Sequence, residues 1–273
     1  MNIRRLVAAL SIWCAFSVAT TAQAARYDLS LGKYFTDQCD LGCAQQKFEG
    51  LMRELGQVTA PVILSPAETL GLNGFTFAFE GTVVPISKNE SFWTDATEGS
   101  PGSVLFIPRI HVRKGLPFSF EVGTQLSYIP ESELFNLGAE VKWALNEGFY
   151  YIPDLAFRVS INHMVGAKDF ELTTGGWDVS ISKPFGVGGM LTLTPYAGYN
   201  MLFVHASSHV VVAINPDDTF TNWVFSEVNW QNNVFNRLFV GLRMTTFIFQ
   251  IAAEGAFTLD GISLFSFKLG FDY

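Results

Sequence analysis

Charge is what this sequence has least of: charged residues fill 15% of its 273 positions, against about 25% in an ordinary soluble domain. Hydrophobic residues take 49% and mean hydropathy is +0.25, which excludes a disordered chain. Three cysteines are too few for a disulfide-dense scaffold. Long apolar runs are missing as well. Past the first two dozen residues no stretch of about 18 unbroken apolar residues occurs, so no membrane-spanning helix is expected. The longest uncharged run, Pro184 to Pro216, is cut by Gly186, Gly188, Gly189, Thr192, Thr194, Pro195, Gly198, Asn200, Ser207 and Ser208. A chain this apolar with no spanning helix is either an unusually greasy soluble sheet or a barrel whose outside faces lipid.

The first residues carry an address. Arg4 and Arg5 precede an apolar stretch from Leu6 to about Val18, and Ala22-Gln23-Ala24 has the small-x-small form of a cleavage site. These features predict a signal peptide over 1–24 and a mature chain from Ala25. Cys14 lies inside the apolar stretch, without the small residues that a lipoprotein site needs before it. With Arg4 and Arg5 removed, 17 basic residues become 15 against 25 acidic, a mature balance of −10. That sign argues against nucleic acid as a partner and against a basic surface for anionic lipid.

In an oxidising compartment Cys39 and Cys43 read as one local disulfide; a metal pair has no histidine nearby. From Cys43 to Gly56, Phe48, Leu51, Met52 and Leu55 recur at helical spacing, predicting one amphipathic helix of about three turns. Gly56 reads as its stop, and Gln57–Glu68, with Pro61 and Pro66, as a linker. Residues 25–68 thus form an N-terminal periplasmic segment, and 69–273 a second region of different character.

From about Leu70 the period becomes two. At the end of the chain Phe265, Phe267, Leu269, Phe271 and Tyr273 share one face, opposite Ser266, Lys268, Gly270 and Asp272. A last strand that alternates this way and ends on an aromatic resembles the bacterial outer-membrane β-barrel family, whose assembly signal has this form. The resemblance covers Leu70 to Tyr273. It implies an outer-membrane location, with membrane lipid and the assembly machinery as partners, and leaves activity open. Alternation recurs at Phe75–Phe79, Val104–Val112, Phe118–Leu126, Phe135–Trp143, Leu155–Ile161, Trp177–Ile181, Leu191–Met201, Leu238–Met244 and Phe249–Phe257. The fold class is therefore all-β: a closed antiparallel transmembrane barrel of about ten strands, an even number. A possible hairpin of Val210–Ile214 with Phe220–Phe225, turning at Asn215-Pro216-Asp217-Asp218, either extends the barrel outward or makes twelve. Connections alternate in length. Those at Lys114–Pro117, Pro184–Gly189 and Thr245–Thr246 are tight and the one at Asn146–Pro153 is somewhat longer, while Lys88–Gly102 and about His205–Arg237 are long. Short periplasmic turns and longer outer loops produce that pattern.

The polar face decides which side meets lipid. It carries Glu80, Arg109, His111, Arg113, Glu121, Glu140, Lys142, Arg158, Asp178, Arg243, Glu254, Lys268 and Asp272. Histidine aside, acids and bases balance there although the chain is strongly acidic. A solvated outside has no reason to balance, whereas closely spaced charges inside a narrow tube must pair. Gly123, Gly138, Gly198, Gly241 and Gly270 share this face and are expected to make room for long arginines. Tyr128, Trp143, Tyr150, Tyr151, Trp177 and Tyr273 lie near strand ends, where interfacial girdles form.

No nucleotide loop, zinc-protease helix or nucleophile elbow is present, and neither cofactor nor metal is expected. His205, Ser207, Ser208 and His209 sit together in a loop region, with Asp217 and Asp218 beyond, so the residue types of a hydrolytic site are present. His163 falls on the lipid-facing parity at a strand end. The leading functional expectation is a narrow, charge-filled barrel acting as a small-solute channel or a structural and interaction protein. Ten strands enclose little space, and open aqueous channels need about 16. The alternatives are a lipid- or peptide-hydrolysing enzyme at His205–His209, and an adhesin binding through Ser207–Asn233. The helix is expected to pack at the periplasmic mouth, because its linker is short.

Overall fold

A computed structural model describes residues 26–35, 39–97, 100–213 and 222–273. The leader, Asp217 and Asp218 lie outside these residues. Ten long strands follow one another in the chain: β1 (Phe75–Pro85), β2 (Val104–Leu116), β3 (Phe120–Tyr128), β4 (Phe135–Asn146), β5 (Asp154–Val165), β6 (Phe170–Ser182), β7 (Leu191–Ser208), β8 (Val234–Thr246), β9 (Phe249–Thr258) and β10 (Leu264–Asp272). Each pairs antiparallel with the next, and β1 pairs with β10, so the sheet closes on itself with no free edge. Closure is what lets strands cross a membrane, because every main-chain polar group finds a partner within the ring.

Burial is inverted relative to a soluble protein. Phe79, Val141, Ile161 and Val240 stand about half exposed on the outside, whereas Arg109, Arg158, Asp178 and Lys268 are buried within. Because side chains alternate strictly along a strand, one register error would turn arginines to lipid. The balance of that lumenal face makes the two-residue period decisive. Segment Val211–Ala213 pairs with Asn222–Val224 as a separate two-stranded piece. It does not enter the ring, so the barrel has ten strands. Phe185–Val187 pairs with Leu191–Leu193, which makes a small hairpin of the expected tight turn.

Phe118, expected in β3, instead lies in the turn before it. Phe118 and Ser119 adopt φ of 62° and 60°, the positive values of a hairpin turn whose twist matches its strands. Strand β6 starts seven residues earlier than the alternation suggests, and β8 four residues earlier, because both continue past the lipid band into the outer loops.

Helix α1 spans Leu41–Thr59. The Asp40 carboxylate caps it, accepting from Cys43 N at 2.8 Å, and a Cys39–Cys43 disulfide closes the first turn. Gly56 does not end it. A side chain there would meet Val204 Cγ1 at 2.6 Å, so this glycine marks the close approach of α1 to β7. The stop comes at Ala60, which precedes Pro61 and is therefore pushed out of the helical region.

The helix stands at the opposite end of the barrel from the one expected. Glu54 accepts from Ser87 N and Trp93 Nε1, Gln57 Oε1 accepts from Ile262 N, and Gln45 bonds Ser226. These partners all belong to connections at the end of the long loops, and Asp169 of the β5–β6 loop accepts from Leu31 N. Residues 26–59 therefore cap the long-loop end. The driving force is apolar: Ala44, Phe48, Leu51, Met52, Leu55 and Val58 are buried, and Phe48 packs on Phe225 at 4.8 Å between centroids.

Candidate functional site

With α1 at one mouth and β1 starting at the other, the intervening chain has one route, through the lumen. Residues 60–70 form this strap. At about 3.3 Å per residue its reach is roughly 36 Å, sufficient to cross a hydrocarbon core of about 30 Å. A main chain in a dry tube must have its donors and acceptors satisfied, and here wall side chains supply the partners. Near the long-loop mouth Asn162 Nδ2 donates to Thr59 O at 2.9 Å and Arg237 Nη2 to Pro61 O at 3.4 Å. Deeper, Arg158 donates to Val62 O at 3.2 Å and Arg113 to Ile63 O at 2.6 Å. Lys142 Nζ reaches Ser65 Oγ, Pro66 O and Glu68 O at 2.9–3.3 Å.

The strap's donors meet carboxylates. Ile63 N and Leu64 N donate to the two oxygens of Glu254 at 3.3 and 2.8 Å. Leu64 holds a φ of 41°, the left-handed turn that aims successive N–H groups at one anion. Tyr196 OH completes the carboxylate at 3.0 Å. Toward the short-turn mouth Ala67 N bonds Ser182 Oγ, Leu70 N bonds Glu121, and the Glu68 side chain pairs with Arg243.

At the exit Thr69 donates to Glu147 from both its N–H, at 2.6 Å, and its hydroxyl. Burial raises the Glu147 carboxyl, but the bonds from Thr69 and Ser119 outweigh it and hold the group below the ordinary carboxylate value. A lowered folded value means the anchor is at full strength above the ordinary value and fails as pH falls through the lowered one. The Thr69 amide proton in micelles should therefore keep its carboxylate-bonded NMR shift through the ordinary glutamate range and lose it only at more acidic pH. A midpoint at the ordinary value would show that the anchor is not formed.

The wall itself is ionic on β1–β6. Glu121, Lys142, Arg158 and Asp178 lie directly opposite one another on four successive strands. Asp178 takes Arg158 Nε at 2.8 Å and Glu121 takes Lys142 at 3.1 Å. Glu140 is the hub, 2.8 Å from Arg113, 2.5 Å from Arg158 and 3.3 Å from His111. Glu80 holds His111 at 3.0 Å and faces both Arg109 and Lys268 across the ladder. Asp272 is bonded instead by Thr76 and Gln250 at the short-turn rim.

On β7–β10 aromatic rings share the lumen with Asn200, Arg237, Glu254 and Lys268. Tyr196 and Phe239 lie over Gly241 and Gly198, where a side chain would meet their rings at 2.3 Å. Only Gly123 makes room for an arginine as expected, beside Arg113 and Glu140; Gly138 and Gly270 accommodate Gln125 and Gln250.

Two participants escape the strand-by-strand reading. Arg237 lies one residue upstream of the alternating segment Leu238–Met244, yet keeps the lumenal parity of Gly241 and Arg243; it bonds Asn200 Oδ1 at 2.7 and 2.9 Å. The strap was read as a linker. Its signal was the uncharged Ala60-Pro61-Val62-Ile63-Leu64, too apolar for a solvated tether.

The loop candidates do not converge. His205 stacks on Trp230 at 5.4 Å on the outer wall, His209 lies 3.5 Å from Glu171 in solvent, and Ser208 Oγ donates to Asp169 O. Ser207 lies on the outward parity of β7, opposite Glu171. Among the described residues no nucleophile–base contact forms there, and no group of three or more potential metal ligands occurs. His163 bonds Thr173 Oγ1 on the outside at 2.8 Å.

No protein-family model and no curated protein sequence matches this chain. Among solved structures it is similar to the KdgM porin, at 5% identity over 72% of this chain and 98% of that one, TM-score 0.34. An outer-membrane channel from Pseudomonas putida matches at 9% identity over 78% and 100%, TM-score 0.37. Ail, the attachment invasion locus protein of Yersinia pestis, matches at 9% over 74% and 99%, TM-score 0.29. The closed ladder and inverted surface of the chain itself define its class, a ten-stranded transmembrane β-barrel.

Proposed function

We propose that this protein is a narrow outer-membrane channel held shut by its own strap. The observation that carries the reading is that wall side chains, most of them charged, satisfy the strap's main chain. Such a wall can exchange the strap for water and solute, because its groups are polar without it. With short turns facing the periplasm, the strap enters from the outside and the cap lies at the cell surface. Planar-bilayer recording tests the proposal. The full chain should show little steady conductance, and a chain lacking residues 26–68 should conduct steadily. If both are silent, the lumen is permanently filled and the channel reading fails.

A second reading, an interaction protein displayed at the surface, is favoured by the cap itself, which brings residues 26–59 and the 211–213/222–224 hairpin to one end. Deleting Ser207–Asn233 should then abolish surface binding while heat-modifiable gel migration persists.

A further inference from the structure

Just inside the cap, the lumenal face of β2, β3 and β4 carries a row of hydrogen-bond donors. Arg109 stands directly opposite Ser127, and Ser127 opposite Asn136, at the spacing where cross-strand side chains meet. All three are at most 3% exposed. One step outward on the same lumenal faces lie Ile107, Ile129 and Leu134, part of the apolar core that α1 also joins. One step inward lie His111, Gln125 and Gly138. The row therefore marks the level where the apolar cap meets the ionic wall.

Its donors go unanswered. None of the three Arg109 guanidinium nitrogens has an acceptor, and Ser127 Oγ and Asn136 Nδ2 are without partners as well. Glu80 faces Arg109 at 3.6 Å, an ion pair too long for a hydrogen bond. Arg109 is exceptional in this. Among the described residues, Arg113, Arg158, Arg237 and Arg243 each keep at least two hydrogen bonds to the wall or the strap. Buried polar groups in native proteins are almost always bonded, so the row calls for an occupant.

The donor set selects the chemistry of that occupant. A guanidinium offers five N–H groups and no lone pair, and the Asn136 amide nitrogen adds two more. A water molecule accepts two of these and brings two donors of its own, whereas a halide ion accepts from several and brings none. Glu80 Oε2 and Gln125 Oε1 are open acceptors beside the row, places for an accompanying water. Charge points the same way. Lys268 and Arg109 flank Glu80 across the ladder, two basic side chains to one carboxylate. One negative charge redresses that row, and a second would be buried without a cation to answer it.

We propose that the row binds a single monovalent anion of halide size, held by Arg109, Ser127 and Asn136 and sealed by the cap. The site is complete with the strap seated, so it does not rest on the channel reading.

The test follows side-chain N–H signals of the full chain in micelles by NMR. Sodium bromide replaces sodium gluconate at constant ionic strength, gluconate being too large for the site. The Arg109 Nε–H and Asn136 amide signals should shift together and saturably, while the Gln250 amide at the short-turn rim stays still. Sodium chloride should act as bromide does, and sodium sulfate should neither shift these signals nor compete. Ser127→Ala keeps the Glu80–Arg109 pair and should raise the half-saturating bromide concentration roughly tenfold, the worth of one hydrogen bond to a charged group. Arg109→Gln should abolish the shift of the Asn136 signal. Signals that stay put throughout overturn the proposal and leave water as the occupant. Equal shifts at Gln250 overturn it as a general salt effect, and competition by sulfate makes the site one for a divalent oxyanion. If Arg109→Gln does not assemble, Ser127→Ala decides alone, because unchanged half-saturation there sinks the assignment.

Discussion

Replacing Glu140 with alanine should lower the unfolding temperature of the detergent-solubilised barrel by roughly 6–20 °C. The carboxylate is buried and answers Arg113, Arg158 and His111 together. Removing one member of a buried ion pair leaves the others charged and desolvated, at a cost of about 3–5 kcal/mol. For a domain of this size each kcal/mol is worth about 2–4 °C. Val141→Ala, the next residue along and facing lipid, is the control, because its side chain leaves one apolar medium for another. Heat-modifiable migration against temperature reads the difference. Equal shifts for the two variants would mean that the ionic wall does not hold the barrel.

The second large effect concerns the strap alone. Glu254→Ala leaves the N–H groups of Ile63 and Leu64 and the Tyr196 hydroxyl without an acceptor in a dry lumen. Each buried donor left unpaired costs about 1–3 kcal/mol. The closed seat should therefore weaken by several kcal/mol, while the wall pairs on β1–β6 stay intact. Two measurements check this. A cysteine at position 64 should react with a small water-soluble maleimide far faster in the Glu254→Ala background, and bilayers should show openings absent from the parent. Unchanged labelling would show that apolar packing of the strap, such as Val62 beside Phe239 and Leu264, holds it in place of the carboxylate. Faster labelling without conductance would retain the seat and reject the channel.

Legibility in the sequence followed the range of the interactions. The alternation of Phe265 to Tyr273, or of Phe135 to Trp143, is a local pattern with only one geometric solution, so strands and their two faces could be read directly. Acid–base balance on one parity then turned the barrel inside out relative to a soluble one. Strand ends were less legible: Arg237 lies outside the lipid band, where outward residues no longer need to be apolar and the alternation fades. The loop histidines and serines carried no pattern beyond composition, and the fold gives them separate partners: Trp230 for His205, Asp169 for Ser208 and Glu171 for His209.

The sequence by itself determined a transmembrane β-barrel of ten or twelve strands, with inverted faces and a paired ionic interior, because a period of two and a membrane solvent constrain each residue separately. Only the tertiary structure decided that residues 60–70 occupy that interior and that the helix caps the long-loop mouth. Those placements depend on which distant surfaces offer acceptors for eleven residues of main chain and an apolar bed for Phe48 and Leu51. No local pattern encodes a partner on the far side of a closed ring.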